Sequence, residues 1–478
     1  MAQTAQLRVV GNVENEAQRI FVLQREAYRR HPYPSLAERK QHLAKLERIL
    51  VDNVDAIADA VSRDFGHRSP DETRLLEIFT SVDGLRDARR KVGRWMKAER
   101  RHVSVLFATG KNRVIPQPKG VVGIVVPWNY PVFLCIGPLT SALAAGNRCM
   151  VKMATSSQHL CRLLAEKVRE QFAEDHVAIL PGVRASDFSS LPYDHLLFTG
   201  SADAGRTVMR SAAENLTPVT LELGGKSPTI VCEDFDVETA ASRILYAKFV
   251  NAGQTCLAPD YVMVPESKRD AFVAAAKRIL PERYPNPSDA SYTSIIDEKS
   301  YRRLRDTLDD AAKRGAEVVS LVPGASFDDG LRKIPPHLVL DPTDEMRIMQ
   351  EEIFGPLLPV KTYRRLDEVL DYVNSKDRPL GFYIFTNDRA TEERLLYGTI
   401  SGGVTVNNCM FHVAQHDMPF GGTGASGMGH YHGHEGFLEM SKLRPVFTQP
   451  KVSALETFYP PYGKLHRRLF DLLLRFKR

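Results

Sequence analysis

Residues 220–230 read Thr-Leu-Glu-Leu-Gly-Gly-Lys-Ser-Pro-Thr-Ile, and the meaning of Gly225-Lys226-Ser227 decides how the chain is organised. Glycine, lysine and serine in that order close a P-loop, whose backbone amides wrap nucleotide phosphates. The rest of that motif is missing. Position 220, where the loop needs glycine, holds threonine, and Glu222 inside the loop would oppose a phosphate charge. Residues 219–223 read instead as a strand, and a new strand follows at 229–232. The stretch is a junction: a carboxylate at a strand end, then a glycine break.

Strands and helices alternate on both sides of the junction. Upstream, 121–126 is an apolar run of β-type residues, 138–145 is small and helical, and 149–152 is strand-like. In 158–172, Leu160, Leu163, Leu164, Val168 and Phe172 fall on one helical stripe. Short strands at 177–180 and 196–199 and a helix at 205–213 complete this half. Downstream, strands at 261–264, 358–361, 382–385 and 403–406 accompany helices at 237–250 and 270–280. Residues 18–62 read as amphipathic helices broken by Pro-Tyr-Pro-Ser at 32–35. Such alternation predicts parallel sheets covered on both faces, with strands that read as continuous apolar runs. The expected fold is α/β, with two domains meeting near 222. A ligand cleft is expected between them, at the carboxyl ends of the strands.

The length of 478 residues exceeds what one hydrophobic core supports. Six cysteines, at 135, 149, 161, 232, 256 and 409, fit neither a disulfide framework nor a zinc site. A reducing, cytoplasmic setting is expected. The first residues lack the order of a signal peptide, and the apolar stretches are broken by Pro and Gly. The net charge of +6 is concentrated: residues 464–478 carry six Lys/Arg against one acid, Asp471, leaving the body near +1. A near-neutral body argues against nucleic acid as the main partner. In the tail, Leu465, Leu469, Leu472, Leu473 and Phe476 form one apolar helical stripe beside a basic face. It suits packing against the body or a partner subunit, with an anionic membrane surface as the alternative.

Four stretches carry chemistry. In Asn251-Ala-Gly-Gln-Thr-Cys256 the chain leaves a helix and turns through Gly253 to a cysteine in a polar context, where a thiolate nucleophile can stand at a cleft. The other cysteines lie in apolar surroundings and read as core residues. Glu222, at a strand end, suits a general base. Asn129, in Pro127-Trp-Asn-Tyr-Pro131, can aim its amide at a developing oxyanion, although Pro and Asn also make ordinary turns. Phe198-Thr-Gly200-Ser201, with Gly205, follows a strand and opens a helix, where backbone can approach phosphate. Two further patterns are set aside. Gly422-Thr-Gly424-Ala-Ser-Gly427 matches G-x-G-x-x-G but follows no buried strand, so it is expected to be a tight glycine loop. His430, His432 and His434 alternate, but no companion ligands stand at a familiar spacing, and no metal is expected.

These pieces together resemble the aldehyde dehydrogenase superfamily. LELGGKSP (221–228) is similar to its general-base motif and GQTCLAPDY (253–261) to the nucleophile motif of its class 3 branch. PWNYP (127–131), FTGS (198–201), EEIFGP (351–356), RPLGFYIF (378–385) and PFGGTGASGMG (419–429) stand in the same order. DFGHRS (64–69) and YPPYGKL (459–465) are most similar to coniferyl aldehyde dehydrogenases. The resemblance implies a Rossmann-type cofactor domain at 1–97 and 119–222, a catalytic domain at 223–418, an oligomerisation arm at 98–118 and 440–455, and a basic tail at 456–478. It implies NAD or NADP as cofactor, a homodimer, and oxidation of an aldehyde to the acid. Cys256 is then the nucleophile, Glu222 the base, and Asn129 part of the oxyanion hole. Lys152 and Thr155 fall near the adenosine ribose, Gly200, Ser201 and Gly205 near the pyrophosphate, and Glu352 and Phe354 near the nicotinamide ribose. Lys226 and Ser227 become structural. Tyr130, Phe411 and His412 are expected pocket walls, suited to an aromatic aldehyde by stacking. Medium-chain aliphatic aldehydes, or cofactor-independent thioester or ester hydrolysis, are the alternative chemistries.

One departure bears on the cofactor. Where the family has Pro-Ser-Glu after the lysine, this chain has Met153-Ala154-Thr155. Without the glutamate, a 2′-phosphate meets no negative charge. NADP should therefore be used alongside NAD. Catalytic efficiency with NADP more than about a thousandfold below NAD, about 4 kcal/mol of discrimination, would contradict this.

Overall fold

A computed structural model describes residues 16–104, 107, 109–451, 456 and 458–476. Residues 1–15 of the expected cofactor domain, 105, 106, 108 and 452–455 of the expected arm and 457, 477 and 478 of the tail lie outside the described residues.

Helices Glu16–Arg30, Leu36–Val51 and Val54–Phe65 come first among the described residues. The break at 32–35 sets up the second helix: Ser35 caps it, and Glu38 reaches back to the Ser35 amide in a reciprocal capping box. The first large sheet has six strands in the order Gly427–Met428, Val219–Leu223, His195–Gly200, Val121–Val126, Arg148–Met153 and Val177–Ile179. The five N-terminal strands are parallel. Val121–Val126 at its centre is buried along its whole length, as uninterrupted Val and Ile with one Gly would have it.

The sixth strand comes from far along the chain. Gly427–Met428 runs antiparallel to Val219–Leu223, with Gly427 opposite Glu222. The G-x-G-x-x-G stretch is therefore an edge ribbon beside the Glu222 strand, not a turn between strand and helix.

The second sheet has seven strands in the order Glu317–Ser320, His337–Leu340, Leu357–Tyr363, Tyr261–Pro265, Pro228–Val231, Gly381–Phe385 and Gly403–Val406, parallel except for the first. A third, antiparallel sheet joins Glu99–Arg101, Lys111–Pro118 and Ser441–Thr448. One continuous apolar core includes Ile124 and Leu139 at the first large sheet and Val262, Phe272 and Leu358 at the second. The two sheets are thereby fixed to each other, and the gap at their carboxyl edges has a set width.

A buried ion pair ties the N-terminal helices to that gap. Residues Thr73–Phe79 form a π-helical turn that carries Glu77 inward, a local distortion frequent at functional sites. Arg68 Nη1 donates to Glu77 Oε1 at 2.7 Å, and both side chains are fully buried. Glu77 Oε2 accepts from the amides of Val132 and Phe133 at 2.7 and 3.1 Å. Arg68 also donates to the carbonyl of Asn129 at 3.0 Å and lies over the rings of Phe65 and Tyr130. Burial pushes the Glu77 carboxyl up, and the Arg68 charge opposes that shift. Removing one partner leaves a buried charge unmatched. Glu77→Ala should cost about 3–5 kcal/mol of stability, read as a lowered urea midpoint, and a loss under about 1 kcal/mol would show that the pair does not hold this region together.

Candidate active site

Cys256 reaches the gap through an unusual backbone. Helix Val237–Phe249 ends, and Asn251, Ala252 and Gly253 follow with φ of 53°, 50° and 74°. Three consecutive left-handed residues, two of them not glycine, are costly and persist only where their surroundings enforce them. The enforcement is visible. The Asn251 amide donates to the Glu72 carboxylate at 3.1 Å, and Asn251 Nδ2 donates to the carbonyls of Asn129 and Gln254. Gln254 donates to the carbonyls of Asn251 and Ser294 and accepts from the Ile296 amide, each at 3.0 Å. A Cβ at Gly253 would overlap the carbonyl of Gly355, so glycine is required there on both counts. Sequence reading found the turn at Gly253 but not the left-handed Asn251 and Ala252. It also missed Arg68, Glu72 and Glu77, although Arg68 stands in the DFGHRS stretch.

Half-buried Cys256 borders two cavities. The first, about 710 Å³ and open to solvent, is lined by Trp128, Asn129, Gly200, Ser201, Glu222, Gly224, Cys256, Glu352 and Phe354 among others. It brings together side chains from five separate segments. Ser201 caps helix Ala202–Ala213 through the Ala204 amide, and Gly205 lies in that helix's first turn. Thr199 Oγ1 and Glu352 Oε1 are buried here without hydrogen-bond partners, and a Cβ at Gly224 would overlap the Glu352 carboxylate. A cleft with bare backbone, a helix start and unmatched oxygens fits a ligand with phosphates and hydroxyls. Lys152 and Thr155 do not line it. They lie at the carboxyl end of strand Arg148–Met153 and just beyond, with Lys152 buried and Thr155 exposed.

The second cavity, about 730 Å³, is almost wholly apolar. Tyr130, Phe133, Phe411 and Phe420 supply rings, and Leu76, Met410 and Val413 fill between them. Tyr130 is held by a 2.9 Å hydrogen bond between its hydroxyl and Thr255 Oγ1. His412 is not a wall, contrary to expectation. Its Nδ1 meets Thr405 Oγ1 at 2.9 Å, and its backbone amide donates to the same oxygen, so the ring turns away under the floor. Phe133, from helix Phe133–Ala145, takes part instead.

The carboxyl groups at the nucleophile are perturbed in the same direction. Glu222 is 1% exposed, and neither oxygen has a well-directed hydrogen-bond partner. Burial pushes its carboxyl up to about 8, while the neighbouring Cys256 thiol pulls slightly the other way. Glu352 is also raised to about 8, by burial and then by Asp260. Burial raises the Cys256 thiol, and the Glu222 and Glu352 charges raise it further. Burial thus favours the neutral thiol, and the Glu222 carboxyl beside it is pushed up to about 8. Asn129 is fixed by the bonds to its carbonyl, and its Nδ2 donates to the Gln254 carbonyl at 3.3 Å. An amide nitrogen has two hydrogens, so one is left for the cleft.

Lys226 explains the opening stretch. Its ammonium pairs with Asp260 and donates to the carbonyls of Ile348 and Glu351 at 2.8 and 2.9 Å. Asp260 also accepts from the Ile353 amide at 2.9 Å. Ser227 Oγ accepts from the Gly381 amide at 3.2 Å. Lys226 thus braces the segment that carries Glu352 and Phe354, and Ser227 ties the junction to strand Gly381–Phe385.

Comparison with known proteins agrees with this geometry. The aldehyde dehydrogenase family profile matches residues 4–446. A Pseudomonas aeruginosa protein named "Probable coniferyl aldehyde dehydrogenase" is 49% identical over 466 residues, covering 96% of this chain and 97% of its own. The rat protein named "Aldehyde dehydrogenase, dimeric NADP-preferring" is 33% identical over 445 residues, covering 91% and 96%. A solved structure titled "Substrate bound state of Staphylococcus Aureus AldH" superposes with a TM-score of 0.90 at 32% identity, covering 97% of this chain and all of that one. On this evidence the chain belongs to the aldehyde dehydrogenase family.

Proposed function

We propose that this protein oxidises an aromatic aldehyde, of the coniferyl aldehyde class, to its carboxylic acid with NAD or NADP, through a thioester on Cys256. The observation that carries the reading is the position of Cys256, with a polar cleft on one side and an aromatic-walled apolar cavity on the other. The aldehyde enters the apolar side with its carbonyl toward the sulfur. Glu222 accepts the thiol proton, which activates a sulfur that burial otherwise keeps neutral. Attack gives a tetrahedral oxyanion, stabilised by Asn129 Nδ2 and the Cys256 amide. Losing one such donor typically costs about 100- to 1000-fold in rate. When bound, the nicotinamide dinucleotide supplies the hydride acceptor that takes the cysteine adduct to the thioester. Lys152 and Thr155 would hold its adenosine ribose, Gly200, Ser201 and Gly205 its pyrophosphate, and Glu352 and Phe354 its nicotinamide ribose. Once Glu222 has released the thiol proton to solvent through the open cleft, it removes a proton from water as the water oxygen bonds to the thioester carbon, and Cys256 leaves as the tetrahedral intermediate collapses to the acid. The four rings of the apolar cavity, and the name of the 49% identical relative, support an aromatic substrate. The neutral, exposed Thr155 and the NADP-preferring relative support use of both cofactors.

A homodimer, through the three-stranded sheet, fits the exposed Leu443 and Phe447 on its edge strand and the relative named as dimeric. The six free cysteines suit a cytoplasmic setting. The tail forms helix Lys464–Phe476, which exposes Leu465, Phe470, Leu472 and Leu474. Cover by protein remains the favoured role, so full-length protein and a 1–463 truncation should sediment equally with anionic vesicles. Sedimentation of the full chain alone would assign the tail to a membrane surface.

The mechanism has separable steps. Cys256→Ala should abolish oxidation while leaving cofactor binding, read by quenching of protein fluorescence. Glu222→Gln should lose steady turnover by about 100-fold or more; normal turnover would remove Glu222 from the base role. The carboxyl is raised to about 8, and hydrolysis needs its ionised form. Wild-type turnover should therefore rise as pH increases through that value and fall below it. The same shift makes stability greatest below the carboxylate's ordinary range and lost as pH rises through about 8.

A further inference from the structure

The apolar cavity has a polar neighbour that the chemistry at Cys256 leaves unused. It is a recess of about 420 Å³, lined by Thr80, Ser81, Gly137, His416 and His432 among others. Thr80 and Phe133 border both spaces, whereas Cys256 borders the apolar cavity and not the recess. We infer that the recess is a subsite of the apolar cavity, which receives the ring hydroxyl of an aromatic aldehyde held at Cys256 and so selects substrates oxygenated on the ring. The inference rests on the reading of the apolar cavity as the aldehyde site.

Two residues of the recess are buried polar groups with nothing to bond. Ser81, in the first turn of helix Thr80–Trp95, is 4% exposed, and its Oγ has no hydrogen-bond partner. His432 is 6% exposed, and neither of its ring nitrogens has one. The His432 ring stacks on Phe420 with centroids 5.4 Å apart and stands edge-on to Phe133 at 5.6 Å. Both of those rings are walls of the apolar cavity. Thr140, His416 and Asp87, also in the lining, are engaged elsewhere. Thr140 Oγ1 donates to the Ile136 carbonyl at 2.7 Å, His416 Nε2 lies 3.5 Å from the Asp83 carboxylate, and Asp87 pairs with Arg90 and Lys91. A Cβ at Gly137 would stand 3.3 Å from the Tyr431 ring and 3.5 Å from His432 Nε2. Glycine in the middle of helix Phe133–Ala145, where alanine is the better helix former, thus keeps the recess open.

Unmatched buried polar atoms are rare and mark a place for water or for a ligand. A phenolic hydroxyl suits this set, because it both donates and accepts. Burial lowers the His432 pKa to about 3, and a neutral imidazole has one donor nitrogen and one acceptor nitrogen. Ser81 offers a hydroxyl with both capacities. The Thr80 hydroxyl donates to the Leu76 carbonyl at 2.6 Å, which leaves its oxygen as an acceptor at the boundary of the two spaces. With the carbonyl at the sulfur, the substrate ring lies among Tyr130, Phe133, Phe411 and Phe420, and its substituents face that boundary. An aldehyde without the ring oxygen leaves Ser81 and His432 unpaired. Sites with buried polar groups discriminate strongly against such analogues.

The test compares 4-hydroxycinnamaldehyde with 4-methylcinnamaldehyde, which has nearly the same shape and no hydroxyl. With the full chain and NAD, kcat/KM should favour the hydroxy compound by about tenfold or more, the effect of one such hydrogen bond. Ser81→Ala and His432→Asn should each bring that ratio down toward one, with kcat/KM for the methyl compound held within about twofold. Asparagine tolerates the positive φ of His432. Should His432→Asn not fold, Ser81→Ala decides, since it removes only an unbonded hydroxyl. A wild-type ratio near one, as a recess holding water alone would give, overturns the subsite. So does a wild-type ratio retained in the variants, or an equal loss with both aldehydes, which marks a structural role. If the wild-type protein oxidises neither aldehyde, the reading of the apolar cavity has failed, and the subsite with it.

Discussion

The Arg68–Glu77 ion pair lies out of reach of water, and the active site is assembled around it. Removing one member of a charge pair in such a place leaves an uncompensated buried charge. Here Glu77 meets two amides of the segment after Asn129, and Arg68 meets the Asn129 carbonyl and two aromatic faces. Asn129, one wall of the apolar cavity and the start of helix Phe133–Ala145 are therefore positioned by one interaction. Neighbouring Glu72 does the same for the Asn251 turn. Two glutamates five residues apart thus fix both Asn129 and the loop that carries Cys256.

Low polarity at the sulfur works in two directions. It raises the thiol and so opposes the charged nucleophile, yet it also raises Glu222 into the range where a carboxylate can accept a thiol proton. The Glu222 charge raises the Cys256 thiol, and the thiol in turn pulls the Glu222 carboxyl down. The bracing by Lys226 sets where Glu352, a further buried carboxyl, stands relative to that pair.

What could be read from the chain follows from what each element buries. Strands such as Val121–Val126 and Gly403–Val406 are uninterrupted β-type runs, and the structure has them where the pattern puts them. Glu222 and Cys256, distant in the chain, do border one cavity. Other features had no local signature. The π-helical turn at Thr73–Phe79 is a matter of tertiary fit, not of propensity. The left-handed Asn251 and Ala252 are imposed by side chains from other segments. The two-residue strand Gly427–Met428 is too short and glycine-rich to register as a strand. His412 looked like a pocket wall because it follows Phe411, but adjacent residues on an irregular segment need not face the same way, and its bond to Thr405 decides the matter. The wall it did not supply comes from Phe133, hidden in an all-apolar helix that shows no preferred face.

The edge ribbon beside Val219–Leu223 has a bearing on biosynthesis. The first large sheet is complete only when Gly427–Met428 docks, and the second flank of Lys111–Pro118 pairs with Ser441–Thr448, so both wait on segments synthesised much later in the chain. A ribosome that has extruded the first half of the chain presents strands with an open flank for many seconds at ordinary elongation rates. Closure of the fold and completion of the surroundings of Glu222 are then a single late event.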